Sequence, residues 1–245
     1  MRPLLEINRV EVRNGFNYRL KDVHLSISQG DKIALLGKSG AGKSSLIAVA
    51  NGSLKTTKGQ VKWLGKNLNS LKAKQLIDIG TLWQDLRLVE ELNVEQNINV
   101  GALGRHNFLW AIKNLLGILH SKRSLSCLYA AGLSKDLIKA SVSQISGGQR
   151  QRVAIARLLR QEARLVLADE PLSNLDPRLS KEILALLLNQ KEIDSIKIPE
   201  TYLISLHRPD LIHNFSRVLG LYEGEIVIDL PTKELSQKVL KELYI

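Results

Sequence analysis

The 245-residue chain is poor in the features that mark secreted and membrane-spanning proteins. Its single cysteine, Cys127, excludes an internal disulfide framework and any metal site built from several thiolates. No apolar run reaches the roughly 18 residues of a membrane span, and the best candidate, residues 108–119, includes Lys113. The N-terminal segment has charge but no apolar core or cleavage site of a secretory signal. We therefore expect a soluble, cytoplasmic protein.

Aromatic residues make up only 4% of the chain, and no basic stripe with interleaved aromatics is present. Pro199 and Pro209 are isolated breakers and do not mark a linker, and no internal repeat is seen. The chain does contain 44% hydrophobic residues, which is enough for a sizeable core. Its 35 Lys and Arg against 24 Asp and Glu give a net charge of +11. Such a charge favours polyanions, whether nucleotides, nucleic acid or anionic lipid headgroups.

The hydrophobic pattern alternates between strand and helix periods along most of the chain. We expect strands at 4–13, 23–28, 32–36, 60–64, 165–168 and 202–206, and a hairpin at 218–230 around Glu223-Gly224. We expect helices at 43–51, 148–160 and 178–189, with a mostly helical stretch at 68–142. The predicted fold class is α/β, with a mostly parallel sheet, an antiparallel β piece at the front and a helical insert.

A phosphate-binding loop is the strongest local signal. The sequence matches G-x-x-x-x-G-K-[ST] through Gly37, Lys38, Ser39, Gly40, Ala41, Gly42, Lys43 and Ser44, with Ser45 following. Glycines let the backbone turn around phosphate oxygens, while successive N–H groups and the helix N-terminus supply positive potential. Lys43 is expected to reach the β- and γ-phosphates, and the Ser44 hydroxyl to bind Mg²⁺. A chance glycine turn is the alternative, but the expected strand before and helix after the loop favour the motif.

Two adjacent carboxylates follow an apolar strand at 165–168. Asp169 is expected to support the magnesium shell, and Glu170 to activate the attacking water as general base. An apolar strand that ends in Asp-Glu is commonplace by itself, so the phosphate loop upstream is what favours the catalytic interpretation.

A second helix N-terminus begins after Ile145. Ser146 is suited to cap this helix, and Gly147 and Gly148 would let its backbone approach an anionic ligand. A well-capped structural helix explains the same residues except for the two glycines.

The segment ISGGQRQRVAIARLL, placed just before LVLADEP, resembles the signature region of ATP-binding cassette (ABC) ATPases, which are P-loop NTPases. The resemblance extends from Leu4 to about Leu235. Gln84 matches the family's loop glutamine, residues 173–176 its D-loop and His207 its switch histidine. The resemblance implies one ABC domain over residues 1–245, with a helical insert at about 85–160, a short tail at 231–245 and no regulatory domain.

Membership of this family implies a head-to-tail homodimer with ATP and Mg²⁺ between the protomers. ATP would lie between residues 37–45 of one protomer and Ser146, Gly147, Gly148 and Gln149 of the other. Asp176 and Gln84 would also contact the nucleotide site, with Gln84 near the magnesium. His207 would contact the γ-phosphate and act in catalysis with Glu170 and Lys43.

One position departs from the family pattern. The family usually places an adenine-stacking aromatic residue just before the glycine of the front strand region, where this chain has Asn14 ahead of Gly15. Phe16 or Tyr18 could take that role. The alternative is that one of the two is an ordinary core residue.

The segments between and after the motifs indicate which kind of ABC protein this chain resembles. Residues 85–145 leave no room for a long coiled-coil arm, and the chain has one cassette and no fused membrane span. This favours an importer assembled from separate subunits, and residues 100–119 and the C-terminal region resemble phosphonate-type importer ATPases. The chain would then bind permease subunits peripherally at the cytoplasmic face of the inner membrane, served by a separate solute-binding protein. The solute would be phosphonate or a related oxyanion.

Two alternatives remain. The first is a cassette of another importer or an exporter, of the methionine, phosphate or lipoprotein type. The second is a nucleic-acid-associated cassette that uses its basic surface, including the cluster of Arg150, Arg152, Arg157, Arg160 and Arg164. Arginines on such a helix more often pair with carboxylates, so no nucleic acid is expected as a partner.

Overall fold

A computed structural model describes residues 2–173, 175–188, 192–193, 196–207 and 209–244. The strands are β1 (Leu5–Asn14), β2 (Asn17–Ile27), β3 (Lys32–Leu36), β4 (Lys58–Trp63), β5 (Lys66–Asn67), β6 (Ile79–Leu82), β7 (Leu165–Ala168), β8 (Glu192–Ile193), β9 (Ile196–Lys197), β10 (Thr201–Ser205), β11 (Arg217–Tyr222) and β12 (Glu225–Pro231). The α-helices are α1 (Lys43–Ala50), α2 (Ala73–Leu76), α3 (Val94–Val100), α4 (Phe108–Leu115), α5 (Lys122–Ala130), α6 (Gly147–Gln161), α7 (Pro177–Leu188) and α8 (Gln237–Glu242).

The central sheet has six strands in the order β12-β11-β3-β10-β7-β6. All neighbours are parallel except β12, which pairs antiparallel with β11. Side chains alternate between two hydrophobic clusters, because successive residues of a strand point to opposite faces. In β3, Ala34 and Leu36 join one cluster while Ile33 and Leu35 join the other. Both faces of the sheet are therefore buried, as in α/β proteins.

An antiparallel sheet of four strands, β2-β1-β4-β5, lies on one side of the molecule. Its inward residues and those of α1 form one cluster with the central sheet. The predicted antiparallel piece at the front is thus confirmed. The predicted hairpin is also confirmed as β11–β12, where Glu223 and Gly224 have φ values of 46° and 83°. Positive φ at both turn residues is what a tight two-residue hairpin requires.

The prediction that residues 68–142 are mostly helical is wrong at one point, because β6 lies within that stretch and pairs with β7. β6 has only four residues, too few for a strand period to show in the sequence. Gly80 is needed there, since a Cβ on it would lie 2.6 Å from Leu158 Cδ1 on α6. Most other predicted elements agree with the structure to within about two residues, but β2 begins six residues earlier than expected. The end of the helix predicted at 178–189 lies outside the described residues.

Helices α3, α5 and α6 contribute buried side chains to the other cluster, together with β7 and β10. None of the helices in the described ranges is long and apolar enough to cross a membrane.

Candidate functional site

The loop between β3 and α1 has the conformation expected of a phosphate-binding loop. Gly42, the residue before α1, has φ 107°, and a Cβ there would lie 2.6 Å from the Arg19 carbonyl oxygen. A Cβ on Gly37 would lie 2.4 Å from the Leu221 carbonyl oxygen. Only glycine fits at either position, so the glycines of the motif are fixed by backbone packing. The first turn of α1 has no acidic residue and its free N–H groups favour an anion.

Lys43 is buried at the base of this loop, with 5% of its surface exposed. Its Nζ donates hydrogen bonds to the carbonyl oxygens of Gly37 (2.8 Å) and Lys38 (3.2 Å). The same nitrogen lies 3.4 Å from Glu170 Oε1. A buried ammonium needs such partners to offset its desolvation, so the positive charge is held in a defined place.

Asp169 and Glu170 follow directly after β7. Asp169 is 5% exposed, and its Oδ1 accepts a hydrogen bond of 3.0 Å from the Ser205 hydroxyl. The same hydroxyl accepts a hydrogen bond of 2.7 Å from the Glu170 backbone N–H. Glu170 has φ 44°, an uncommon conformation for a residue with a Cβ. Ser205, at the end of β10, therefore fixes both acidic residues.

The sequence motifs meet in a cleft of about 540 Å³. Its lining residues are Tyr18, Arg19, Ser39, Gly40, Gly42, Lys43, Ser44, Ser45, Gln84, Glu170 and His207. The cleft lies at the carboxyl ends of the parallel strands β3, β7 and β10, where open α/β sheets bind their ligands.

His207 and Gln84 complete the cleft from two sides. His207 Nε2 lies 3.9 Å from Glu170 Oε2, and the imidazole is more than half exposed. The Gln84 side chain donates a long hydrogen bond of 3.5 Å to Ser173 Oγ. Both residues also line an adjoining cavity of about 370 Å³ with Ser205. Residues from four separate parts of the sequence thus converge on Glu170.

Several predicted site residues do not line this cleft. Ser146 caps α6, its hydroxyl accepting a 3.3 Å hydrogen bond from the Gln149 N–H while Gln149 Oε1 accepts one of 2.9 Å from the Ser146 N–H. A Cβ on Gly147 would meet open space, whereas on Gly148 it would lie 2.8 Å from Leu179 Cδ2. Ser146 and Gly147 are exposed and do not line the cleft itself, although Gly147 shares a small adjoining cavity with Gln84 and Glu170.

Asp176, which was also predicted to contact the nucleotide, lies at the start of α7. Its Oδ1 accepts hydrogen bonds of 3.0 Å from the N–H groups of Arg178 and Leu179. The side chain caps that helix and does not line the cleft. Asn174 of the predicted D-loop lies outside the described residues.

The two aromatic candidates for base stacking differ. The suggestion that one of them is a core residue is wrong, because Phe16 is fully exposed and Tyr18 is 38% exposed. They lie around the β1–β2 turn, where no core surface is available to them. Tyr18 lines the cleft and Phe16 does not. The Arg13 guanidinium lies 4.4 Å from the centre of the Tyr18 ring and donates a hydrogen bond to its hydroxyl.

Three residues near the site were not predicted. Arg19 adds a positive charge to the cleft, and Ser205 connects the two acidic residues. The Tyr244 hydroxyl is buried, and it has no well-aligned hydrogen-bond partner among the residues that the structure describes. Burial raises the pKa of Tyr244, the nearby Gly37 N–H opposes that shift, and the Glu170 charge adds to it. The position of Arg19 just after the β1–β2 turn is the one sequence signal that could have indicated it, and no such signal exists for Ser205 or Tyr244.

The oxygen atoms at the cleft could hold Mg²⁺ if the phosphates of a bound nucleotide supply further ligands. Ser44 and Gln84 offer a hydroxyl and an amide oxygen at the cleft, while the Asp169 carboxylate is buried next to Glu170 in the chain and does not line the cleft. No group of three or more His, Cys, Asp or Glu that could hold a metal occurs in the part of the chain that the structure describes. Magnesium is commonly held by one or two protein oxygens, with phosphates and water supplying the rest.

The arginines of the α6 region are engaged within the chain. Arg150 contacts Glu90, and Arg152 Nη2 lies 2.8 Å from Glu182 Oε2. Arg157 donates hydrogen bonds to the carbonyl oxygens of residues 86 and 87, and burial lowers its pKa. Arg160 is buried, which lowers its pKa as well. These contacts leave little of the cluster for a nucleic acid.

Comparison with known proteins agrees with this geometry. A family model described as ABC transporter matches residues 20–173. The chain is 36% identical to the phosphonates import ATP-binding protein PhnC of Wolinella succinogenes, over 98% of this chain and 88% of that protein. It is 32% identical to the PhnC of Fusobacterium nucleatum, over 100% of this chain and 99% of that protein.

Solved structures show the same architecture. The dimeric post-hydrolysis structure of the ATP-binding cassette MJ0796 bound to ADP and Pi has a TM-score of 0.76 at 27% identity, covering 94% of this chain and 100% of that one. The ADP conformation of MJ1267, an ATP-binding cassette of an ABC transporter, has a TM-score of 0.79 at 25% identity, covering 100% and 99%.

The fold, the phosphate loop and the cleft define an ATP-binding cassette, which is an ATPase. The chain belongs to the ABC transporter family. The predicted fold class and family are thereby confirmed.

Proposed function

We propose that this chain is the ATP-hydrolysing subunit of a bacterial importer for phosphonate or a related oxyanion. The observation that carries the proposal is the convergence of Lys43, Gln84, Glu170 and His207 on one cleft at the carboxyl ends of the parallel strands. The names of the relatives, phosphonates import ATP-binding proteins, support the choice of solute.

The phosphates of ATP would bind to the backbone of residues 37–45, with Lys43 neutralising the β- and γ-phosphates. Ser44, Gln84 and Asp169 would hold Mg²⁺, which supplies charge neutralisation at the phosphates. The Glu170 carboxylate would accept a proton from the attacking water. His207 would donate a hydrogen bond to the γ-phosphate, where negative charge develops.

The cassette would act as a head-to-tail homodimer. Ser146 and Gly147 at the α6 N-terminus are exposed and do not line the cleft of their own chain, so the N–H groups there are available to the ATP of a second copy. Ser146, Gly147, Gly148 and Gln149 would contact that ATP, and Asp176 would act near the shared interface. This arrangement makes binding of ATP and closure of the dimer the same event.

The partners would be permease subunits and a separate solute-binding protein, with the cassette bound peripherally at the cytoplasmic face of the inner membrane. Residues 1–245 would form a single ABC domain with a helical insert at about 85–160 and a short tail at 231–245. The helices α3 to α6 all lie between Gln84 and Gln161, which supports that division.

Replacing Glu170 by glutamine tests the catalytic assignment. Loss of the general base should lower the ATPase rate by about 10²–10⁴-fold while ATP still binds, so the variant should accumulate as an ATP-bound dimer. Glu91→Gln is a matched control at an exposed position. A Glu170→Gln protein that hydrolyses ATP at near the unmodified rate would show that another group activates the water.

The solute assignment needs the reconstituted transporter. In proteoliposomes that contain the permease and the binding protein, methylphosphonate should stimulate ATP hydrolysis and methionine should not. If methionine stimulated hydrolysis and methylphosphonate did not, the solute assignment would be wrong, and the ATPase assignment would still stand.

A further inference from the structure

Helix α4 is attached to the rest of the molecule through its polar side. Asn114 is buried, and its Nδ2 donates a hydrogen bond of 3.1 Å to the Gln96 carbonyl oxygen. In return, Gln96 Nε2 donates to the carbonyl oxygens of Asn114 and Leu115, both at 2.9 Å. Asn107 caps the helix by accepting a 3.0 Å hydrogen bond from the Trp110 N–H. These amide hydrogen bonds anchor the inner side of α4, where Trp110 and Ala111 are also partly buried.

The apolar side of α4 faces outward. The exposed fractions are Phe108 77%, Leu109 67%, Ile112 37%, Leu115 65%, Leu116 66% and Ile118 61%. Residues 108, 112 and 116 follow one another at four-residue spacing, with 109 and 115 on either side, so they form one continuous stripe. Scattered single apolar residues are ordinary on a surface, but a contiguous stripe of this size marks an interaction site.

The segment that carries this stripe has charged residues of one sign only. From Gln96 to Lys135 the sequence contains no aspartate or glutamate. Lys113 and Lys122 are exposed, and neither forms an ion pair with a carboxylate in the described part of the chain. Two nearby arginines are already paired, Arg105 with Asp78 at 3.2 Å and Arg123 with Glu162 at 3.0 Å. Lys113 on α4 therefore places an ammonium group beside the apolar stripe, and the segment from Gln96 to Lys135 adds no carboxylate that would repel an anion.

We propose that α4 and the residues up to Ile118 form a membrane-contact surface that binds an anionic lipid leaflet directly. The apolar stripe would enter the boundary between headgroups and acyl chains, while Lys113 and Lys122 would lie at the lipid phosphates. A convex helix with an apolar stripe and a basic border is typical of helices that lie in the plane of a membrane interface. This inference goes beyond the proposed function, because it needs neither ATP nor a permease.

Sedimentation of the full-length protein with lipid vesicles tests the inference. Vesicles of phosphatidylcholine with about 30% phosphatidylglycerol should carry the protein down, and phosphatidylcholine alone should bind it several-fold more weakly. Raising the salt concentration should lower binding to the anionic vesicles, because the lysines act through a screened field. Lys113→Gln should weaken binding about fivefold, the effect of one lysine near an anionic surface.

Leu109→Glu is the decisive variant. A carboxylate in the first turn of α4 favours the helix, so this change should leave the fold intact while it reduces vesicle binding at least tenfold. Val227→Glu is the matched control, since it adds the same charge at a valine on β12 that is 54% exposed. Both variants should retain the ATPase rate and the melting temperature of the unmodified protein.

Three outcomes would overturn the inference. The first is no binding to anionic vesicles. The second is equal binding by the Leu109→Glu and Val227→Glu proteins. The third is binding only to vesicles that contain the permease, with loss in Leu109→Glu, which would assign the stripe to the permease. In each case an unchanged ATPase rate would show that the proposed function stands independently.

Discussion

Ser205→Ala tests whether one hydroxyl organises the catalytic carboxylates. Ser205 is fully buried at the end of β10. Its hydroxyl donates to Asp169 Oδ1 at 3.0 Å and accepts from the Glu170 N–H at 2.7 Å. Alanine removes both hydrogen bonds at once and leaves a buried carboxylate oxygen and a backbone N–H without these partners. The cavity that it creates is no larger than one oxygen atom.

The expected loss of stability follows from these two groups. Leaving one buried polar group unsatisfied costs about 1–3 kcal/mol, and more when the group is charged. With two groups affected, we expect the free energy of unfolding to fall by about 2–6 kcal/mol. For a chain of this size, 1 kcal/mol corresponds to roughly 2–4 °C, so the melting temperature should fall by about 4–24 °C.

Ser180→Ala provides the control, because the chemical change and the burial are the same. Ser180 is also fully buried, but its hydroxyl has no hydrogen-bond partner in the described ranges. It lies inside α7, where alanine is the better helix former by a few tenths of a kcal/mol. Calorimetry should therefore show no loss of stability in Ser180→Ala and a clear loss in Ser205→Ala.

The ATPase rate gives the second measurement. Without Ser205 the Glu170 backbone loses the contact that holds its positive φ, so the carboxylate should be less well placed. We expect kcat to fall about tenfold or more at saturating ATP with little change in KM, measured well below the lowered melting temperature. Equal melting temperatures for the two serine variants, or an unchanged kcat for Ser205→Ala, would refute this account.

Three further predictions concern single sites. Lys43→Ala should raise the Kd for ATP by tenfold or more in fluorescence titrations, because it removes a buried charge beside the phosphate loop; an unchanged Kd would contradict that role. Tyr18→Ala should weaken ATP binding by about 1–3 kcal/mol if its ring stacks on the base, and Phe16→Ala should not, because only Tyr18 lines the cleft. Burial raises the pKa of the Cys127 thiol to about 11, so Ellman's reagent at pH 8 should react only after unfolding. Since the unfolded thiol ionises first, Cys127 should lower stability as pH rises from about 9 to 11, by up to about 2.7 kcal/mol, and Cys127→Ala should remove that part of the slope.

The local parts of the site were predictable because each of them requires particular residue types within a short stretch of the sequence. At Gly37 and Gly42 the carbonyl oxygens of Leu221 and Arg19 lie so close that only glycine fits, and the strand before Asp169 is a continuous run of buried apolar residues. Their residue types are therefore constrained position by position, and a motif records that constraint. The same reasoning correctly placed the hairpin at Glu223-Gly224, where both φ values are positive.

The remaining parts depend on contacts between distant segments. Ser205 reaches Asp169 across two parallel strands, and the Tyr244 hydroxyl approaches Gly37 from the far end of the chain. A serine within an apolar strand and a tyrosine near a C-terminal helix are common residues in common places. Strand β6 was missed for a related reason, since its pairing with β7 defines it and its four residues do not.

Helix α4 shows that hydrophobic periodicity predicts an apolar face but not whether that face is buried. The spacing of Phe108, Ile112 and Leu116 predicts an amphipathic helix, and the helix is present. Periodicity identifies an apolar face, but whether that face packs inward depends on what the neighbouring elements offer. Here the Gln96 side-chain amide on α3 donates to the Asn114 carbonyl oxygen, and the Asn114 side chain donates to the Gln96 carbonyl oxygen, so this side of α4 faces inward and the apolar face is left outward. Apolar surface left exposed while amides are buried is costly for an isolated chain, so the stripe makes physical sense only when something apolar covers it.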